Sequence, residues 1–339
     1  GQTLANVSDA GGGSYTAEYT VVAADTDIAN SGDVTTSIIL TDTAGNATAA
    51  TTTVTLDASS TIDANVPTIA SVTVQDGTYA VGDTVNVTIT AGSAEQGLTL
   101  GGTFNGRSWT SVTDNSDGTY TGVYTLVEGD ADVADTANVT TAITLTDANG
   151  NASAETTSVT LSGESIDANT AAISAVTVPN TAMKVGSSVT VSITADEAGL
   201  VLSGTPTVGG FTVSSLSDLG SGSYTATFTV TEGGTDVAAG SDIPVSIVLE
   251  DAAGNATTAF TTAISQASDA IDANTAAISA VSVENGDHKI GDVVTITVTE
   301  GSGEAGLALA GTFNGQTLAN VSDAGGGSYT AEYTVVAAD

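Results

Sequence analysis

Cysteine is absent from all 339 residues, so no disulfide staples this chain and no thiolate serves as nucleophile or zinc ligand. Positive charge is nearly missing as well: Arg107, Lys184 and Lys289 stand against 39 acidic residues, for a net charge of −36. Nucleic acid and anionic membrane surfaces repel such a chain, which excludes both as partners. There is one histidine, His288, so a Ser-His-Asp arrangement repeated in each segment is impossible. No nucleophile–base pair recurs, and the sequence reads as a non-enzyme. No apolar run is long enough to cross a membrane as a helix, so direct membrane contact is not expected of this region. Aromatics are scarce at 4%, which in an acidic chain can signal disorder. The 40% of apolar residues argue otherwise, because they alternate with Thr and Ser.

What is present is repetition. Residues 1–25 reappear letter for letter as residues 315–339, and I-D-A-N recurs at 62–65, 166–169 and 271–274. A period of about 105 residues fits a whole small domain rather than a solenoid unit. The sequence divides into two full repeats, 62–165 and 166–270, flanked by partial copies at 1–61 and 271–339. It reads as a stretch of a longer repetitive protein.

Within repeat 62–165, Val85, Val87 and Ile89 share one parity, as do Tyr120, Tyr124 and Leu126, and again Val139, Ile143 and Leu145. Period-two alternation rich in β-branched residues and broken by Gly, Asp and Asn reads as half-buried strands. The spacing predicts seven, near 68–75, 83–91, 98–104, 107–112, 118–127, 138–146 and 154–161. Seven short strands in about a hundred residues predict an all-β fold of tandem immunoglobulin-like β-sandwich domains, arranged as an extended string. The recurrent aromatic pairs Tyr15/Tyr19, Tyr120/Tyr124, Tyr224/Phe228 and Tyr329/Tyr333 point one way on a strand and read as core.

Three acidic elements recur. D-x-x-G-N turns pair Asp42 with Asn46, Asp147 with Asn151 and Asp251 with Asn255. Acidic loops after the fifth strand hold Asp25 and Asp27, then Glu128, Asp130 and Asp132, then Glu232 and Asp236. The linkers contribute Asp63, Asp167 and Asp272. If odd strands run outward and even strands run back, the acidic loop lies beside the outgoing linker and the D-x-x-G-N turn beside the incoming one. One junction would gather Asp25, Asp27, Asp63, Asp147 and Asn151, and the next Asp130, Asp132, Asp167, Asp251 and Asn255. Carboxylates 4–5 Å apart repel by about 3–4 kcal/mol per pair at an effective dielectric near 20. A hard divalent cation removes that cost, and Ca2+ suits oxygen ligands of this kind. The alternative is an Asx-turn in which each Asp bonds its own backbone.

Several motifs together carry a resemblance. They are G-D-x-V-x-[VI]-x-[VI] at 82–89 and 291–298, the turns at 117–121 and 222–226, V-x-E-G-x-x-D at 230–236, and D-x-x-G-N followed by I-D. The chain resembles bacterial Ig-like extender repeats of large RTX-type, biofilm-associated surface adhesins. That resemblance implies secretion, an extracellular or cell-surface place, and calcium at domain junctions stiffening a stalk that projects an adhesive tip. The partners would be neighbouring repeats of the same chain and other copies of the fibre. Two departures occur: Ser187 replaces the aspartate found at Asp83 and Asp292, and Gly234 replaces that at Asp25 and Asp130. The second removes one ligand from that repeat's outgoing junction. Two other readings stay open: a self-assembling filament or sheath with lateral chain contacts, and accessory modules of a polysaccharide-active enzyme.

Overall fold

In the strand Thr84–Ala91, Val85, Val87 and Ile89 are fully buried while Thr84 and Asn86 face solvent. The same parity runs through Thr119–Thr125 and Asn138–Thr146, and these inward faces set the architecture. The computed structural model describes every residue except 1, 24, 93–94, 266–269, 305 and 338–339. Among the described residues there is no helix, and so none that is long and apolar enough to cross a membrane. The chain divides into two compact units, Gly1–Asn169 and Thr170–Asp339.

The first unit contains a complete two-sheet sandwich. One sheet orders Ser111–Asp114, Thr119–Thr125, Thr84–Ala91 and Ile69–Val74. The other orders Thr156–Thr160, Asn138–Thr146, Thr99–Phe104 and Arg107–Ser108. Val85, Ile89, Tyr120 and Tyr124 meet Leu100, Phe104, Ile143 and Leu145 between them. This strand order defines an immunoglobulin-like domain. The expected fourth strand, 107–112, is two: Arg107 pairs with Phe104 in one sheet, and Ser111 pairs with Val123 in the other. The chain changes sheets at Trp109, whose ring packs 6.1 Å from Phe104. It fits because residue 122 is glycine; a Cβ there would lie 2.5 Å from the indole. Both short strands run antiparallel to outward strands, so the placement of every later loop is unchanged.

The I-D-A-N segments belong to the domain before them. Glu164–Ile166 pairs in parallel with Gly77–Tyr79, and Ile166 is 2% exposed within the core. The first unit accordingly runs to Asn169, past the boundary drawn at 165/166 from sequence. Ile62 and Ile271 likewise bridge upstream, to Ile28 and Val237.

The second unit repeats the plan. One sheet orders Ile173–Thr177, Ser188–Ala195, Ser223–Thr229 and Ser214–Gly220, facing Phe211–Thr212, Val201–Val208 and Val245–Glu250. Here the last strand is reduced to isolated bridges, Ile243 to Ile264 and Ile247 to Phe260. Beyond it, Ile278–Val283, Val293–Glu300, Ser328–Thr334 and Ala319–Gly325 form one further sheet. Identical sequence behaves differently at the two ends. Tyr15 is 51% exposed on a lone hairpin, whereas its copy Tyr329 is 5% exposed against Val294, Ile296 and Val298. Neighbouring strands, not local sequence, decide that burial.

Candidate functional site

I-D-A-N alternates as a strand does. Ile166 and Ala168, and Ile271 and Ala273, turn inward and are buried, which leaves the Asp and Asn on the outer side. Each linker Asp then accepts the backbone N–H of the Asn two residues on: Asn65 to Asp63 at 3.1 Å, Asn169 to Asp167 at 3.3 Å and Asn274 to Asp272 at 3.2 Å.

The acidic loop grips this linker with its second aspartate. Asp27 accepts the N–H of Ala64 at 2.9 Å and the side-chain amide of Asn65. Asp132 accepts Ala168 at 2.8 Å and Asn169 at 2.5 Å, and Asp236 accepts Ala273 at 2.7 Å and Asn274 at 2.9 Å. Glu232 adds the backbone N–H and hydroxyl of Thr275, at 2.9 and 2.5 Å. The loop's first aspartate turns the other way. Asp25 accepts the Tyr19 hydroxyl and the Val22 N–H at 2.9 Å. Asp130, its side chain 4% exposed, accepts Tyr124 Oη at 2.6 Å, the Val127 N–H at 3.0 Å and Arg107 Nε. Burial pushes the Asp130 carboxyl up, but those donors outweigh it and hold it below the ordinary carboxylate range. Neither Asp25 nor Asp130 is joined to the linker by these bonds.

The D-x-x-G-N turns close on themselves. Asp147 Oδ1 accepts the N–H groups of Asn149 and Asn151, both at 2.9 Å, and Oδ2 accepts Asn151 Nδ2 at 2.8 Å. Gly150, at φ +96°, permits the reversal. Asp42 with Asn46 and Asp251 with Asn255 repeat the arrangement, the last pair buried at 7% and 4% exposure. Within the first unit this turn also reaches the incoming linker. Asn149 Nδ2 donates to Asp63 Oδ2 at 2.5 Å and Asn151 Nδ2 to the Asp63 carbonyl at 3.3 Å. The structure therefore joins Asp27, Asp63, Asp147 and Asn151 through the linker and leaves Asp25 bonded to Tyr19 and Val22 instead.

In the second unit the linker faces a different group. Carboxylate oxygens of Asp236, Asp272 and Glu304 lie within 4.8 Å of one another, the only such triad among the described residues. Burial, then the charges of Asp272, Asp236, Glu300 and Glu232, push the Glu304 carboxyl up. Three hard oxygen donors so placed fit a divalent cation of the calcium class, which would supply the positive charge the triad lacks. Sequence reading missed Glu304. Its signal was present, because E-x-G-L recurs at 95–98, 197–200 and 304–307 in the sequence, shortly after the strands that end at Ala91, Ala195 and Glu300.

No family model matches the chain, and no curated protein matches it. Among solved structures, the chain is similar to the I9–I11 tandem from titin, at 10% identity and TM-score 0.30, covering 80% of this chain and 90% of that one. It is also similar to Rst D1–D2, at 14% and 0.25, covering 60% and 99%. The D00–D0 domain of intimin follows at 15% and 0.23, covering 56% and 98%. At such scores these likenesses decide nothing, and the strand order given above establishes tandem immunoglobulin-like domains.

Proposed function

We propose that this chain is a structural spacer: extender domains of a secreted bacterial surface adhesin or fibre, with calcium at domain junctions fixing the angle between neighbours. One observation carries the reading. Asp63 sits in a linker that both flanking domains hold, Asp27 from before it and Asn149 and Asn151 from after it. A linker gripped on both sides transmits orientation, which a flexible tether does not. The reading is supported by repetition too, since reach calls for many equivalent units whereas a catalytic site is needed once. His288, the only histidine, lines an open depression with Lys289, Ile290 and Val335 and has no recurring nucleophile beside it. We therefore assign the chain no catalysis.

Calorimetric calcium titration of the full chain, paired with small-angle scattering with and without chelator, tests this. Calcium should bind and lengthen the maximum dimension. Absence of binding, or an unchanged dimension, overturns the stiffening role.

A further inference from the structure

The acidic loop carries two aspartates two residues apart, Asp25 with Asp27 and Asp130 with Asp132. We propose that they divide the work: the first is a positioning residue that locks the loop from beneath, and only the second faces the linker and any cation there. The cation half of this statement rests on the function proposed above; the positioning half does not.

The lock in 66–169 has four members. Asn105 Nδ2 donates to Tyr124 Oη at 3.3 Å and to the Ala131 carbonyl at 2.9 Å, Tyr124 donates to Asp130, and Arg107 closes on the same carboxylate. This ties the loop's main chain to the sandwich floor, so that Asp132 arrives opposite Ala168. Asn314 and Tyr333 keep part of the arrangement, at 3.2 Å.

Nature has run the deletion experiment in 170–273. Strand registers place Phe211 where Arg107 stands, since Phe211 pairs with Val208 as Arg107 pairs with Phe104. Phe228 opposes Val189 as Tyr124 opposes Val85. Gly209 precedes this turn where Asn105 does, and Gly234 replaces Asp130. All four polar members change together. In their place Phe211 stacks on Phe228 at 5.7 Å and 11°, and the ring fills the carboxylate's space so closely that a Cβ on Gly234 would meet it at 2.5 Å. The second aspartate is delivered regardless: Asp236 holds Ala273 at 2.7 Å, and Val237 bridges Ile271 as Val133 bridges Ile166. Delivery thus requires a filled, braced floor and not a first carboxylate. An apolar set of matched volume can replace a buried charged network, whereas loss of one member leaves the others unpaired.

The test uses the full chain. Asp130→Gly and, as a milder probe, Tyr124→Phe should each speed hydrogen exchange at the Ala168 amide by about tenfold, the scale of losing one charge-assisted bond. The fourfold variant Asn105→Gly/Arg107→Phe/Tyr124→Phe/Asp130→Gly should restore protection to within about threefold of the parent, the coupling expected of contacting residues, and leave calcium stoichiometry unchanged. If Ala168 stays unprotected in the fourfold variant while the rest of the domain is protected, the positioning role is wrong. If protection returns but a calcium site is lost, Asp130 is a ligand and the division of work is wrong. Should the parent chain bind no calcium, the spacer mechanism falls and the exchange result still decides the positioning role.

Discussion

The junction at Asp63 and the junction at Asp272 start from the same four letters and end differently. In both, an aspartate of the preceding loop holds the linker alanine. At Asp63 the following domain then offers amides, and Asn149 and Asn151 satisfy the carboxylate and carbonyl without adding charge. At Asp272 it offers Glu304, a third carboxylate. The lesson concerns charge. A linker aspartate met by amides of the next domain gains donors, whereas one met by its carboxylates gains repulsion.

The largest effect should come from removing what holds the triad in place. Ile271 is 1% exposed and anchors the linker to the core. Ile271→Ala should cost about 3 kcal/mol in the stability of the second unit, the usual range for a buried isoleucine, as read by urea unfolding. It should also weaken calcium binding there. Retained binding at full strength would mean that the linker does not place Asp272.

Next in size is the contrast between the two linker aspartates. Asp272→Asn should lower calcium affinity in the second unit by about tenfold or more, since ligand charge count tunes such sites. Asp63→Asn, whose carboxylate already has an amide partner, should change affinity less. Equal losses would erase the distinction between the junctions. Asn149→Asp sharpens it from the other side by turning an amide-held junction into a carboxylate-held one. In chelator it should loosen residues 62–65, seen as faster hydrogen exchange by about threefold, the scale of a weak local contact. Calcium should reverse that loss.

Much of this was legible in the letters. The main strands of 62–165 carried their period-two signal, whereas the short parallel pair Gly77–Tyr79 and Glu164–Ile166 lay outside it; the outward-and-back order of strands set the D-x-x-G-N turn of 147–151 beside Asp63. The split at Trp109 was not legible, because a chain that changes sheets within two residues keeps its alternation. Glu304 was missed because one carboxylate per turn looks solvated until the fold brings it to Asp236 and Asp272. Asp25 and Asp130 were grouped with the linker ligands because residues two apart on a loop obey no parity. The sequence did hold the clue that separates them: Tyr124 and Asp130 change together to Phe228 and Gly234.

The smallest effect is acid sensitivity, and it compares the two sandwiches rather than the two junctions. Donors hold the Asp130 carboxyl below its ordinary value of 3.8, and the Tyr124 hydroxyl contributes the largest share of that lowering. A folded-state value below the unfolded one stabilises wherever the group is ionised in both states. That contribution is complete above the ordinary carboxylate range and is lost as pH falls through the lowered folded value. The stability gap between the parent and Tyr124→Phe should therefore be full near pH 6 or so and narrow below about pH 4. It should do so only in 66–169, because Phe228 and Gly234 leave no such bond in 170–273. Hydrogen exchange resolved by domain across this pH range measures both at once. A gap that stays constant into acid would show that Tyr124 stabilises through packing alone.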